Sequence, residues 1–451
     1  MDKNNHKLLS EFPPVSTQKW EEVINQDLKG ADYEKKLVWK TDEGFSVKPY
    51  YRSEDLKNIP YLNTYVNKFP YVRGNKANEN NWNIRQDIHV HSIQESNKFA
   101  IEALERGCNS IGFITNDKIR SQSDLSALLK GIYFNCIEIN FICNSDLSNI
   151  YYWLVEEAKK RKYETNSLYG SINVDPIGNL CKTGNWYKNE NDDFQLLKNI
   201  INQLRKDTPN IRGLSIDCTI FKEAGSSILQ EIAYSLSIGN EYIQKLIKLG
   251  ISLEDILKNI QFNMSAGSNY FFEIAKIRAF RYLWSKIIEA YNPVDISIAN
   301  TYIHTTTSII NQTAYDPYVN MLRTTTESMS AILGGTDSLS VLPFDSVFKK
   351  PNSFSYRIAR NTQIILKEEA FFDKVIDPSG GSYYIESLTY SFIQEAWKMF
   401  LKIDESGGFL ESLKNGFIQS QIREMAQKRM NYIASRRETL LGTNQYPNFN
   451  E

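Results

Sequence analysis

The sequence predicts an α/β protein built on an eight-stranded parallel βα barrel of the TIM type. From about residue 80, short runs rich in Val, Ile, Phe and Tyr alternate with longer helical stretches. This alternation is typical of parallel strands joined by right-handed crossovers. Eight such units occupy about 290 residues, which suits a barrel of roughly 250 residues with insertions. An open doubly wound sheet is the alternative, but it usually contains fewer units.

The strand candidates are rich in β-formers, and most are bounded by Gly, Asn, Asp or Pro. They are Trp82–Val90, Ser110–Thr115, Phe134–Cys143, Leu168–Val174, Ile211–Cys218, Ile260–Met264, Asp295–Tyr302 and Ser338–Phe344. In the helix candidates apolar residues recur at spacings of three and four, as a helix packed on a sheet requires. They are Ile93–Glu105, Asn149–Arg161, Asp193–Lys206, Glu223–Leu249, Asn269–Tyr291, Asp316–Leu333 and Phe354–Glu369.

Two segments flank the predicted barrel of residues 80–372. Residues 1–79 combine an amphipathic helix, Thr17–Leu28, with an aromatic, Pro-containing extended chain. That chain is too aromatic for a disordered tail, so we expect an arm that lies on its own barrel or on a partner. Residues 373–451 are predicted to form a C-terminal helical extension.

Charge and cysteine usage exclude several classes of protein. The chain has 52 basic and 53 acidic residues, without the basic surplus that a nucleic-acid or anionic-membrane binder needs. Its five scattered cysteines contain no CxxC pair, which argues against a disulfide framework or a zinc site. No signal peptide or membrane-length apolar run is present. These features predict a cytoplasmic protein.

Polar residues at the predicted strand ends are the first candidates for chemistry. His89 and His91 share one face of the first strand, beside Asp87, and could bind a metal. Local hydrogen bonding of a barrel histidine is the favoured interpretation, because no carboxylate motif completes a site. Asp217 and Cys218 could be an acid and a nucleophile, but polar filling of the barrel mouth is favoured, since no histidine lies nearby in sequence to activate the thiol.

Two glycine pairs and one charged helix complete the candidates. Gly334-Gly335 follows a helix, which favours a C-cap over a phosphate cradle, and Gly380-Gly381 matches no nucleotide motif. The aromatic helix Tyr270–Trp284 is predicted to be buried, with its charges reaching or pairing at a surface. Those charges are Glu273, Lys276, Arg278 and Arg281. The residues alone therefore predict a βα barrel with extensions and no catalytic set.

Several motifs, in order and spacing, resemble the adenosylcobalamin-dependent acyl-CoA mutase family over nearly the whole chain. They are LVWKT at 37–41, PYY at 49–51, WNIRQ at 82–86, FEIAKIRA at 272–279, DPYVNMLRTT at 316–325, LGGTDS at 333–338, RIARNTQ at 357–363 and DPSGGSYYIESLT at 377–389. The resemblance implies a barrel that binds a CoA ester along its axis. It also implies a separate flavodoxin-like domain that holds cobalamin through the histidine of a DxHxxG motif.

The departures from the family pattern indicate lost catalysis. Where catalytic members have a tyrosine after the Arg-Gln of the first strand, this chain has Asp87. Thr219 and Ile220 occupy the places of a Tyr-His pair, and Ile220 can neither donate a hydrogen bond nor transfer a proton. No arginine lies between Ala299 and Ile310 to hold a substrate carboxylate. The segment nearest to DxHxxG, residues 87–92, has serine for glycine and lies in the first strand, so no cobalamin-binding domain is expected.

The resemblance therefore implies a non-catalytic β subunit. Some members that interconvert methylmalonyl-CoA and succinyl-CoA pair such a subunit with a catalytic α subunit that carries adenosylcobalamin. We expect that partner in a heterodimer, contacted by the arm and by the helices after Asp377, with no catalytic, cofactor or metal residues in this chain. Phe113, Phe141 and Phe221 suggest aromatic bulk along the axis. Two alternatives stay open: the substrate-binding barrel of a split mutase, and an acyl-CoA-binding module.

Overall fold

Eight parallel strands form a closed barrel in the computed structural model, which describes residues 11–115, 118–143 and 147–448. The barrel strands are β3 Asn83–His89, β4 Ser110–Ile114, β5 Glu138–Ile142, β6 Tyr169–Val174, β7 Ile211–Asp217, β8 Ile260–Ala266, β9 Tyr302–Thr307 and β10 Ser338–Ser340. Each strand pairs with the next along the chain, and β10 closes the barrel by pairing with β3. The TIM-type barrel predicted from the sequence is confirmed.

Sixteen α-helices lie around the barrel and in its extensions, counted over the described ranges. They are α1 Thr17–Asp27, α2 Tyr33–Leu37, α3 Ile93–Glu105, α4 Gln122–Leu128, α5 Leu147–Lys160, α6 Pro176–Thr183, α7 Glu190–Asp207, α8 Thr219–Glu223, α9 Ile228–Lys248, α10 Leu253–Asn259, α11 Tyr270–Ala290, α12 Val319–Leu333, α13 Ser353–Ile364, α14 Tyr383–Glu405, α15 Phe409–Lys414 and α16 Phe417–Ala434. Many begin after a side chain that accepts a backbone N–H, such as Ser92 before α3 and Ser227 before α9. None of the described helices is long and apolar enough to cross a membrane.

Several predicted elements are wrong in position or extent. The seventh strand runs over Tyr302–Thr307, whereas Ile296–Ala299 form a 3₁₀ turn that Asp295 caps through the Ser297 backbone N–H at 2.8 Å. The predicted helix Glu223–Leu249 begins only at Ile228, as α9, because Gly225, at φ +94°, lies in the turn that separates it from the short helix α8.

Two strands are shorter than predicted. The predicted run Phe134–Cys143 starts four residues too early, and Ser338–Phe344 ends four residues too late. The other five strands lie within about two residues of the runs predicted for them, as the usual uncertainty of element ends allows.

The aromatic arm lies on the chain's own helices from residue 39 onward. Strands β1, Trp39–Lys40, and β2, Ser46–Val47, form a small antiparallel sheet. Trp39 stacks on Phe272 of α11 with ring centroids 5.2 Å apart. Both carboxylate oxygens of Glu43 accept backbone N–H groups at the start of α9, at 2.7 and 3.1 Å. These contacts fasten the arm to α9 and α11. From residue 39 onward the arm therefore lies on the chain's own helices.

Helix α1 differs from the rest of the arm in how little of it is buried. None of its residues is buried. Trp20 is 46% and Val23 51% exposed, although Trp20 stacks on Tyr50 with centroids 5.3 Å apart. The apolar stripe of this helix is Trp20, Val23, Ile24 and Leu28; Trp20 and Val23 face outward, and Ile24 and Leu28 are half-buried. An amphipathic helix of this kind normally buries its stripe against another surface.

Candidate functional site: the barrel axis and its mouth

Charged and polar side chains fill the axis of the barrel. At the amino end of the strands, Glu138 accepts hydrogen bonds from the Arg212 guanidinium at 2.6 Å and from the Tyr302 hydroxyl at 2.8 Å. The guanidinium carbon of Arg212 also lies 3.7 Å from the centre of the Tyr302 ring. Burial opposes ionisation of Glu138, but the charge of Arg212 and these hydrogen bonds outweigh it, so its pKa lies below the usual value.

The middle of the axis is a hydrogen-bonded network of neutral side chains. Ser171 donates to Asn140 at 2.7 Å, and Ser215 donates to Asn173 at 2.7 Å. His304 lies 3.1 Å from the Ser338 hydroxyl through Nδ1, and burial lowers its pKa to about 3. The ring is therefore neutral at physiological pH. All six side chains are buried, so this layer is a packed polar core.

Near the mouth, Asp87 occupies the position at which the sequence lacks the family's tyrosine. Its carboxylate accepts from Arg85 Nε at 2.6 Å and from the Ser340 hydroxyl at 2.7 Å. Burial opposes its ionisation, but the Arg85 charge dominates and the pKa of Asp87 lies below its usual value. A Cβ added to Gly112 would collide with both members of this pair. The glycine therefore makes room for an ion pair across the axis.

The suggestion of aromatic bulk along the axis is wrong. Phe113 and Phe141 follow the inward positions Gly112 and Asn140, so they point to the outer helices, where their rings contact each other with centroids 5.8 Å apart. Phe221 lies in α8 against other aromatic rings, 5.3 Å from that of Tyr234. The axis is filled by ion pairs and amides, which the strand pattern did not reveal.

Thr219 and Ile220 lie at the mouth after β7. The Thr219 hydroxyl donates to Asp217 at 2.6 Å, and Ile220 faces a groove beneath the C-terminal helices. Cys218 is fully buried; burial raises the pKa of its thiol well above the usual value, and its Sγ lies 3.5 Å from the Ile216 carbonyl oxygen. A neutral, buried thiol is a poor nucleophile, which agrees with the favoured interpretation of this pair as polar filling.

His89 and His91 stack side by side at the end of β3, with ring centroids 6.0 Å apart and both residues exposed. Over the described ranges no group of three or more His, Cys, Asp or Glu residues is arranged to hold a metal ion. Gly334 caps the end of α12 and Gly335 follows with φ +89°, which confirms the predicted C-cap.

The prediction that the charges of α11 reach or pair at a surface is wrong, because all four are buried. Lys276 Nζ lies 3.0 Å from Glu231 and 2.6 Å from Glu273. Arg278 binds Glu386 at 2.8 Å and also contacts Asp377. The Lys276 pair ties α11 to α9, and the Arg278 pairs tie it to α14 and to the loop before that helix. Four charges between residues 273 and 281 of an otherwise apolar stretch were the available signal.

One further buried residue, Glu327, escaped the sequence reasoning. Glu327 of α12 accepts from Asn311 at 2.9 Å and from the Ser308 backbone N–H at 3.2 Å. Burial, together with the nearby Glu273 charge, raises the pKa of Glu327 to about 8. Arg281 binds Asp337 at 2.8 Å, and Asp337 accepts the Ile303 backbone N–H at the start of β9. The Glu327 contacts lie beyond the carboxyl end of β9, near the mouth, and the Arg281–Asp337 pair lies at the amino end of β9 and β10.

Fold and motif order together define the class: this is a βα barrel of the acyl-CoA mutase type. The family model for methylmalonyl-CoA mutase matches residues 40–116 and 117–451, and the chain belongs to that family. It is 42% identical to a methylmalonyl-CoA mutase small subunit of Porphyromonas gingivalis, over all of this chain and 73% of that protein.

Other relatives give the same family. The chain is 30% identical to a methylmalonyl-CoA mutase of Rhizobium meliloti, over 96% of this chain and 64% of that protein. It is 29% identical to a methylmalonyl-CoA mutase small subunit of Streptomyces virginiae, over 98% of this chain and 72% of that protein. The chain therefore spans between about two thirds and three quarters of these relatives' length. The family resemblance drawn from the motifs is confirmed.

Proposed function

We propose that this chain is a non-catalytic small subunit of a heterodimeric methylmalonyl-CoA mutase. The partner large subunit would carry adenosylcobalamin and interconvert methylmalonyl-CoA and succinyl-CoA, in the cytoplasm. The observation that carries this proposal is the filled axis. A CoA ester that lies along a mutase barrel needs the space that the Arg85–Asp87 pair and the Glu138–Arg212–Tyr302 cluster occupy.

Moving these side chains out of the axis would cost free energy. In each ion pair one member is buried and the other partly buried, and separating them to admit a neutral thioester would leave a buried charge without its partner. The mouth also lacks groups for the reaction, since Ile220 has no polar atom and β9 contains no arginine. Substrate could be neither admitted nor held.

The residues present do not fit a cobalamin site. The segment nearest to the family's cobalamin motif is Asp87 to Ser92, and its Asp87 is bound to Arg85 inside the barrel. His89 stacks on His91 at the strand end. Among the described residues, the strands outside the barrel are only the two short ones of the arm, which is no flavodoxin-like sheet. We therefore place the cofactor on the partner.

A structural role needs a surface for the partner, and α1 offers one. Its outward stripe includes Val23, 51% exposed, while the chain after it is fastened to the barrel. Obligate subunit interfaces are large and apolar, which suits such a helix. We propose that α1 lies on the large subunit.

Coexpression with the large subunit, followed by size exclusion, tests the proposal. We expect one complex containing both chains, with isomerase activity that depends on the large subunit's own site. Val23→Asp places a charge on the apolar stripe of α1 and should weaken the complex at least about tenfold. Asn25→Asp, an exposed position on the opposite face of α1, is the matched control and should leave it intact.

Separate elution of the two wild-type chains would overturn the subunit role. Calorimetry of the isolated chain with methylmalonyl-CoA should give no heat of binding. Saturable binding there would favour an acyl-CoA-binding module. Turnover on addition of a cobalamin-domain polypeptide alone would favour the barrel of a split mutase.

A further inference from the structure

A groove of about 690 Å³ lies beside the barrel mouth, outside the filled axis. Helices α6, α8, α15 and α16 form its walls. Its lining is mainly apolar, and includes Leu180, Ile220, Phe221, Leu413, Ile418 and Ile422. The volume lies within the range of small-molecule pockets, roughly 300–1,000 Å³. The groove has no part in the proposed subunit function.

The rim of the groove is predominantly cationic. Lys182, Lys414 and Arg423 line it, against the single carboxylate of Glu223. Lys414 makes a long contact of 3.9 Å with Glu190, and the ion pairs of the described residues include neither Lys182 nor Arg423. Burial and the nearby Asp217 charge raise the pKa of Glu223, which makes this carboxylate easier to neutralise. Lys182 and Arg423, which make no ion pair within 4.0 Å among the described residues, lie beside an apolar wall and suit a ligand with a negative charge at one end.

Contacts around the groove fix its shape. Gly225, at φ +94°, allows α16 so close that an added Cβ would lie 2.6 Å from the Ala426 Cβ. The Gln230 side chain donates to the Gln421 carbonyl at 3.2 Å, and Lys428 binds Asp42 of the arm at 2.7 Å. Helix α16 is therefore held across the groove at several points. A pocket with fixed walls loses little freedom when a ligand enters.

We propose that this groove binds a small amphipathic anion, with an aliphatic chain against the apolar wall and a carboxylate or phosphate head between Lys182 and Arg423. A wholly polar anion would leave the apolar walls unmatched, and a neutral hydrocarbon would leave the cations unused. A fatty acid and an alkyl phosphate share this chemistry.

Calorimetry of the full chain with decanoate tests the site. We expect saturable binding near one molecule per chain, at least about tenfold tighter than that of neutral decanol, as two ion-pair contacts would give. The double variant Lys182→Glu with Arg423→Glu should weaken decanoate binding at least about tenfold. Ile422→Trp should fill the groove and abolish binding. Lys160→Glu, an exposed charge reversal on α5, is the matched control and should leave it unchanged.

Melting temperatures of all variants verify that each is folded. Decyl phosphate in competition with decanoate identifies the preferred head group, since the tighter ligand of the two is the favoured one. Absence of saturable binding by both would overturn the proposal. So would equal binding of decanol, or decanoate binding that survives both the double charge reversal and Ile422→Trp in folded protein.

Discussion

The protonation of Glu327 gives the sharpest prediction for stability. This carboxyl is buried, and its pKa rises from 4.5 to about 8 because burial and the Glu273 charge disfavour its ionised form. In the interval between these values the folded state binds more protons than the unfolded state. The contribution of Glu327 to stability is therefore complete below about pH 4.5 and is lost as the pH rises through about 8.

The size of this pH effect follows from the thermodynamic linkage between proton binding and folding. A rise of about 3.5 units corresponds to about 5 kcal/mol over the whole range, of which about 2 to 3 kcal/mol falls between about pH 6 and pH 9. Glu327→Gln removes this titration. The amide has one acceptor oxygen for two donors, Asn311 and the Ser308 backbone, so the substitution itself costs about 1 kcal/mol at every pH. The variant should be less stable than wild type below about pH 4.5 and more stable near pH 9.

Urea unfolding of wild type and variant at several pH values is the assay. The difference between their free energies of unfolding isolates Glu327 from other titrating groups, such as Asp175, whose pKa burial raises to about 6. That difference should change by about 2 to 3 kcal/mol in favour of the variant from about pH 6 to pH 9. Glu424→Gln on the exposed face of α16 is the control and should give no such trend. A difference constant within about 0.5 kcal/mol would refute the reasoning.

Three further predictions concern the axis and its surroundings. Gly112→Ala should lower the melting temperature, by the equivalent of about 1 to 3 kcal/mol, because its Cβ meets the ion pair across the axis; an unchanged melt would contradict that crowding. Lys276→Met leaves two buried carboxylates without their cation and should cost about 3 to 5 kcal/mol in urea unfolding at neutral pH; a loss below about 1 kcal/mol would show that the pairs contribute little. Asp87→Tyr combined with Ile220→His should give no isomerase activity in the isolated chain with adenosylcobalamin, and measurable turnover would show that the axis admits substrate.

Sequence patterns determined most of the barrel. The helix Ile93–Glu105 is observed with the predicted bounds, since its polar cap and apolar spacing are local features. The seventh strand was misplaced because polar residues face the axis. In β9 the inward position holds His304 and the neighbours are threonines, so the usual alternation of apolar and polar residues is missing. Burial of a polar axis is a property of the closed barrel, and local sequence does not encode it.

The sequence by itself determined the family and the barrel, because motif order and residue identity are read directly from the chain, and it led to the prediction that the catalytic groups are lost. Only the tertiary structure decided what fills the place of a substrate. Arg278 and Glu386 are 108 residues apart, and Glu138 and Tyr302 are 164 apart. Such charges meet only when the strands close and the last helices dock. Whether a charge is buried with a partner or exposed to water depends on that closure, so the ion pairs along the axis and behind the mouth were visible only in three dimensions.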